Sequence, residues 1–165
     1  MTSIQPIPGD FDLDAISTEV TGRIYQLDPA LGMRELPVHV EMTYCRGRPF
    51  EIELCFRTSR YGNDRVTWCI SRDLVTAGLT TASPETGGPA EFPAGDVHIS
   101  THALPGFDWT LLTLRSPTGL ADIGLPAHEL IEFVDRTEDL VAAGTEGDLI
   151  TEADLTALLD DGAAQ

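Results

Sequence analysis

His98 and His102 stand two alternations apart, so on a β-strand both imidazoles would project from one face and could approach a common ligand. Cys45, Cys55 and Cys69 fall in three separate strand-like runs, without the C-x-x-C spacing of a zinc or redox motif. Across a hairpin Cys55 could face His39, but structural zinc draws its ligands from clustered loop residues, and none accompany this pair. The thiols therefore read as small, partly buried side chains, and no metal is expected. No G-x-S-x-G, H-E-x-x-H, phosphate-loop or dinucleotide motif is present. The carboxylates are numerous enough to meet by chance, and none is marked as held in an apolar pocket, the condition for an acid/base pair. No catalytic residue, no cofactor and no enzymatic activity are expected.

Three other groups carry contact chemistry. Arg46, Arg48, Arg57, Arg60 and Arg65, with Tyr61 among them, gather around two loops flanking one strand and form the basic patch of an otherwise acidic chain. A formal net charge of -17 repels phosphate, so this patch suits an acidic protein or the acidic tail of a neighbouring subunit; a single-stranded nucleic-acid groove is the alternative. Leu155, Leu158 and Leu159 make an i, i+3, i+4 stripe among Glu152, Asp154, Asp160 and Asp161, suited to a groove on another protein or to the chain's own core. Arg72 and Asp73 stand where a strand turns into a helix. Asp73 would accept from free N–H groups of the first turn while Arg72 reaches a neighbouring carboxylate, fixing the corner.

The elements that position these groups are mostly strands. After a first strand over 17–27, Val38, Val40, Met42 and Tyr44 alternate with polar residues, as do Phe50, Ile52, Leu54 and Phe56, then Val66, Trp68 and Ile70. This register would set Tyr44 opposite Phe50, Val40 opposite Leu54, Leu54 opposite Trp68 and Phe56 opposite Val66; a slip of one would bury Glu51 and Glu53. Ser71 caps a short helix that Gly78 closes. Residues 80–95 read as a long loop. Strands follow at 97–101, 109–114 and 120–123, the last two joined by Ser116-Pro-Thr-Gly119, and Pro126 opens a helix with Leu130, Ile131, Phe133 and Val134 on its apolar stripe. The fold class is α+β: a mostly antiparallel sheet of about seven strands with packed helices.

The 165 residues, 42% of them hydrophobic, suit one domain. Residues 1–16 read as a flexible lead-in, 17–146 as the domain, and 147–165 as an acidic segment with a short helix. The acidic N-terminus predicts neither signal nor transit peptide, and no run reaches the ~20 apolar residues of a membrane helix, so the expected location is cytoplasmic. All ten basic residues are arginine, and lysine is absent.

Trp68-Cys-Ile-Ser-Arg-Asp-Leu-Val-Thr-Ala-Gly-Leu79, Gly95-Asp-Val97, Ser116-Pro-Thr-Gly119 and Phe133-Val-Asp-Arg-Thr137, in this order and spacing, resemble the SsgA-like proteins, small actinobacterial regulators of sporulation and septum formation. The resemblance covers 17–146. It implies a non-enzymatic adaptor of septation recruited to the septum, whose partners are SsgA-like paralogues or FtsZ-type division machinery. It also implies a curved, Whirly-like sheet that assembles as a homo-oligomer, a trimer in the family. The lead-in, an insertion at 81–92 and the long acidic C-terminus depart from the simplest family pattern.

Overall fold

The computed structural model describes residues 14–28, 30–59, 64–80, 95–104, 107–117 and 119–151. Period-2 alternation becomes one antiparallel sheet of seven strands: β1 (Ala15–Asp28), β2 (Gly32–Cys45), β3 (Glu51–Arg57), β4 (Arg65–Ser71), β5 (Val97–Leu104), β6 (Phe107–Ser116) and β7 (Gly119–Pro126), in the order β4-β3-β2-β1-β7-β6-β5. Helix α1 (Arg72–Thr80) follows β4, and α2 (Ala127–Leu140) follows β7 before a single 3-10 turn, Glu146–Leu149. The α+β class and the strand count expected from the alternation are those observed.

Two meanders meet along a short seam, where β1 pairs with β7 only through Arg23–Tyr25 and Asp122–Gly124. Backbones approach closely there: a Cβ on Gly22 would lie 2.7 Å from the Gly124 carbonyl oxygen and 2.7 Å from Leu125 Cδ2. The helices lie on the inner face of the curled sheet. Their Val75, Leu130, Phe133 and Val134 join Val40, Met42, Ile52, Leu54 and Leu125 in one core. Burying such side chains contributes about 1.5–3 kcal/mol each, the usual source of stability for short amphipathic helices.

The strands run longer than the alternation alone predicts: β1 begins at Ala15 instead of Ser17, and β5, β6 and β7 reach Leu104, Ser116 and Pro126. Leu54 does face Trp68 and Phe56 does face Val66. The β2–β3 register differs by two residues, with Met42 opposite Leu54 and Val40 opposite Phe56. A shift of two preserves both faces, so Glu51 and Glu53 stay on the outer side. Its cause is the turn after Cys45, which consumes residues through Phe50 and starts β3 at Glu51. His39 consequently faces Arg57 and Cys55 faces Glu41, so the His39–Cys55 pairing does not form.

Helix details also differ. The α1 helix continues through Gly78 to Thr80, and Gly78 packs against β5, where a Cβ would come within 2.5 Å of Ile99 Cβ. The residue is required for close approach, not for a stop. Pro126 ends β7 as the cap residue, with extended φ and ψ of -60° and 121°, and α2 starts at Ala127. Ile131 is exposed, while Leu130, Phe133, Val134 and Thr137 face inward. The lead-in before Asp14, residues 81–94 and the helix expected after Thr151 lie outside the described residues.

Candidate protein-contact site

Arg72 is the first residue of α1 and is only 2% exposed. A buried guanidinium needs acceptors for its forked donors, because an unpaired internal charge is costly. The fold supplies them from three directions. Nη1 donates to Tyr44 Oη at 3.1 Å, to the Val141 carbonyl at 2.6 Å and to the Thr137 carbonyl at 3.4 Å, so it closes the C-terminal end of α2. Nη2 donates to Glu146 Oε1 from the 3-10 turn, and Glu146 is itself buried. The guanidinium carbon also sits 5.4 Å from the centre of the Tyr44 ring. Burial pushes the Tyr44 phenol above its ordinary pKa, and the Arg72 charge opposes that shift.

This hub supports the β2–β3 turn. Tyr44 Oη donates to the Pro49 carbonyl at 2.9 Å, and the Arg72 backbone N–H donates to the Phe50 carbonyl at 2.9 Å. Within the turn the Arg48 N–H reaches the Cys45 carbonyl at 3.0 Å and the Glu51 N–H reaches the Arg48 carbonyl at 3.3 Å. With its carbonyls tied inward, the turn presents the Phe50 ring outward, 48% exposed in spite of its size. Arg46 lies 3.6 Å from Asp14, and Arg48 bonds Glu51 at 2.9 Å and Glu53 at 3.3 Å. An aromatic ring beside arginines already held by carboxylates is the composition of an interface hot spot.

The arginines read as one patch separate into two. Arg46 and Arg48 stand at the turn, while Arg57 and Arg65 face each other at the far end of β3, about 20 Å away by strand rise. Arg57 is held by Glu41 at 3.5 Å and Glu19 at 3.9 Å, and Arg65 Nε donates to Cys55 Sγ at 3.4 Å. Two separated arginine pairs, with Arg46, Arg48 and Arg57 already held by carboxylates, do not make the continuous basic groove that a single strand requires. Arg60, Tyr61, Leu155, Leu158 and Leu159 lie outside the described residues. Asp73 is exposed in the first turn of α1, and the Leu74 N–H approaches Ser71 Oγ at 3.4 Å. On β5, His98 pairs with Thr113 and His102 with Trp109. Among the described residues no three His, Cys, Asp or Glu side chains gather as a metal site.

Sequence reasoning missed Tyr44, Phe50 and Glu146 as parts of this arrangement. Phe50 continues the β3 alternation and so read as core, and Glu146 sits in the short glycine-flanked run Gly144-Thr-Glu-Gly147, which carries no apolar pattern. The signal that could have exposed the hub is Arg72 itself, a basic residue two positions from each of the apolar Ile70 and Leu74.

A family model described as Streptomyces sporulation and cell division protein, SsgA, matches residues 38–146, a span that holds Tyr44, the turn, Arg72 and Glu146. The sporulation-specific cell division protein SsgB of Salinispora tropica is 32% identical over 113 residues, 68% of this chain and 73% of that protein. The SsgB of Saccharopolyspora erythraea is 36% identical over 111 residues, covering 67% and 70%. Among solved structures, SsgB from a study of mutations that correlate to longitudinal cell division during sporulation of Streptomyces coelicolor superposes with a TM-score of 0.68 at 26% identity, covering 86% of this chain and 100% of that one. The SsgA-like sporulation-specific cell division protein of Thermobifida fusca gives 0.66 at 26% identity, over 90% and 95%. The chain belongs to the SsgA family of sporulation and cell division proteins.

Proposed function

We propose that this protein is a non-enzymatic adaptor in sporulation-linked cell division, acting through contacts with SsgA-like paralogues or FtsZ-type division machinery. The observation that carries this reading is the extent of likeness to relatives named for sporulation-specific cell division, which spans more than two thirds of both chains. The contact surface we assign is the β2–β3 turn, where Phe50 stands exposed between Arg48 and Glu51 on a base tied to Arg72 and Tyr44. Preorganisation lowers the entropy lost on binding, so a turn fastened from within suits a docking role. Septal recruitment would follow from such contacts; no helix among the described residues is long and apolar enough to cross a membrane.

The experiment is a cross-linked pull-down of the tagged full-length protein from sporulating cells, read by mass spectrometry with and without nuclease. Recovery of FtsZ-type proteins or SsgA-like paralogues in both arms is expected. Recovery only of nucleic-acid-binding proteins, lost on nuclease treatment, would replace the adaptor reading with the nucleic-acid one.

A further inference from the structure

At the end of the inner face away from the Arg72 hub, the sheet leaves an apolar groove of about 290 Å³, lined mainly by Ile24, Val38, Phe56, Val66, Trp68 and Leu120. Val66 is 56% exposed at its rim. The groove opens at β4, an edge strand with which no strand among the described residues pairs on its outer side, and extends across to the β6–β7 hairpin. An open edge beside an apolar slot is the arrangement that accepts an extended peptide: main-chain bonds supply affinity, and alternate side chains fill the slot.

The sequence contains a segment of matching chemistry. Asp10, Phe11, Asp12, Leu13 and Asp14 alternate strictly between acid and apolar, directly before β1. Laid parallel to β4 with its apolar residues inward, this segment sets Phe11 level with Val66 and Leu13 level with Trp68. Asp12 then stands beside Thr67, and an end aspartate beside Arg65, which is exposed and, among the described residues, paired with no carboxylate.

The segment cannot serve its own copy. The Asp14 carbonyl is held by the Arg46 N–H at 2.8 Å, and Val66 lies level with Val20 through Phe56 and Val40. The site, one strand beyond β4, is therefore about 19 Å across four strand spacings and up to about 20 Å along the strand. Phe11, three residues from Asp14, spans only about 10 Å. We propose that residues 10–14 of a second copy add to β4 as an eighth strand, with Phe11 and Leu13 in the groove. The contact is heterologous, joining the start of one copy's β1 to the β4 edge of the next, so it closes as a ring or propagates.

The test uses the full-length chain with Asp12→Cys, Thr67→Cys, Cys69→Ser and Cys55→Ser, the last removing the thiol directly opposite position 67, oxidised mildly and run without reductant, beside the same chain lacking either introduced cysteine. Chain-to-chain crosslinks that require both cysteines are expected. Crosslinks that are absent, or that form only within one chain, would overturn the proposal. F11D/L13D in the otherwise unaltered chain should weaken self-association at least about tenfold by sedimentation, with an unchanged circular dichroism spectrum. Self-association at the original strength would equally overturn it. Both readouts concern copies of this chain alone, so they stand or fall independently of the division-protein contacts.

Discussion

Arg72 and Arg48 both meet carboxylates, and both lie within a few residues of the β2–β3 turn in space, yet they work differently. Arg72 is enclosed with Glu146, and its Nη1 and Nη2 both meet acceptors from other elements. Arg48 reaches Glu51 and Glu53 with its side chain 51% exposed. Water competes for the second set and not for the first. The same ion-pair chemistry therefore holds the fold where it is buried and remains exchangeable, available to a partner, where it is exposed.

The sharpest way to break this contrast is to remove the buried cation. Arg72→Leu strands Glu146 without a counter-charge and frees the Tyr44, Thr137 and Val141 oxygens, at a cost of about 3–5 kcal/mol in urea unfolding. Arg72→Leu with Glu146→Leu should recover part of that loss, because no buried charge then remains. A double variant as unstable as the single one would show that the carbonyl contacts, not the ion pair, dominate.

That hub was only half legible beforehand. Arg72 could be placed at a strand-to-helix corner because Ser71-Arg-Asp-Leu switches the apolar period, and a neighbouring carboxylate was a sound chemical expectation. Which carboxylate depended on α2 folding back, bringing Glu146 from seventy-four residues away in sequence. No local pattern encodes that return. The faces of β2 and β3 were legible because burying Glu51 and Glu53 is so costly. Their register was not, since alternation is blind to a slip of two, and the length of the turn is set by bonds within it and by those from Tyr44 to Pro49 and from Arg72 to Phe50. Phe50 shows the limit of alternation most clearly: it keeps the β3 period yet lies one residue before the strand, in a turn that points it outward.

Tyr44 links the two regions and should respond less than Arg72. Tyr44→Phe removes the bond to Pro49 and one acceptor of Arg72, costing about 1–2 kcal/mol in the same measurement. The wild type also carries a pH signature at this residue. Because the folded pKa of Tyr44 is raised above its ordinary 10.0, its contribution is intact below that value, and stability falls as pH rises through it, when the unfolded chain ionises first. Unfolding midpoints followed into alkali should drop less steeply in Tyr44→Phe than in the wild type. Parallel slopes would remove Tyr44 from the account.

At the small end, Arg48→Ala should leave stability within about 0.5 kcal/mol of the wild type, since its ion pairs are solvated and screened. A loss as large as that of Arg72→Leu would erase the distinction between the two arginines.

The claim that the buried hub presents an exposed contact turn is tested most directly with Phe50→Ser, measured as recovery of division proteins in the cross-linked pull-down at equal concentration of folded protein. An exposed ring can be removed without unfolding the chain, so the predicted result is an unchanged melting temperature with recovery reduced at least about tenfold. Undiminished recovery of the same division proteins by Phe50→Ser would contradict it.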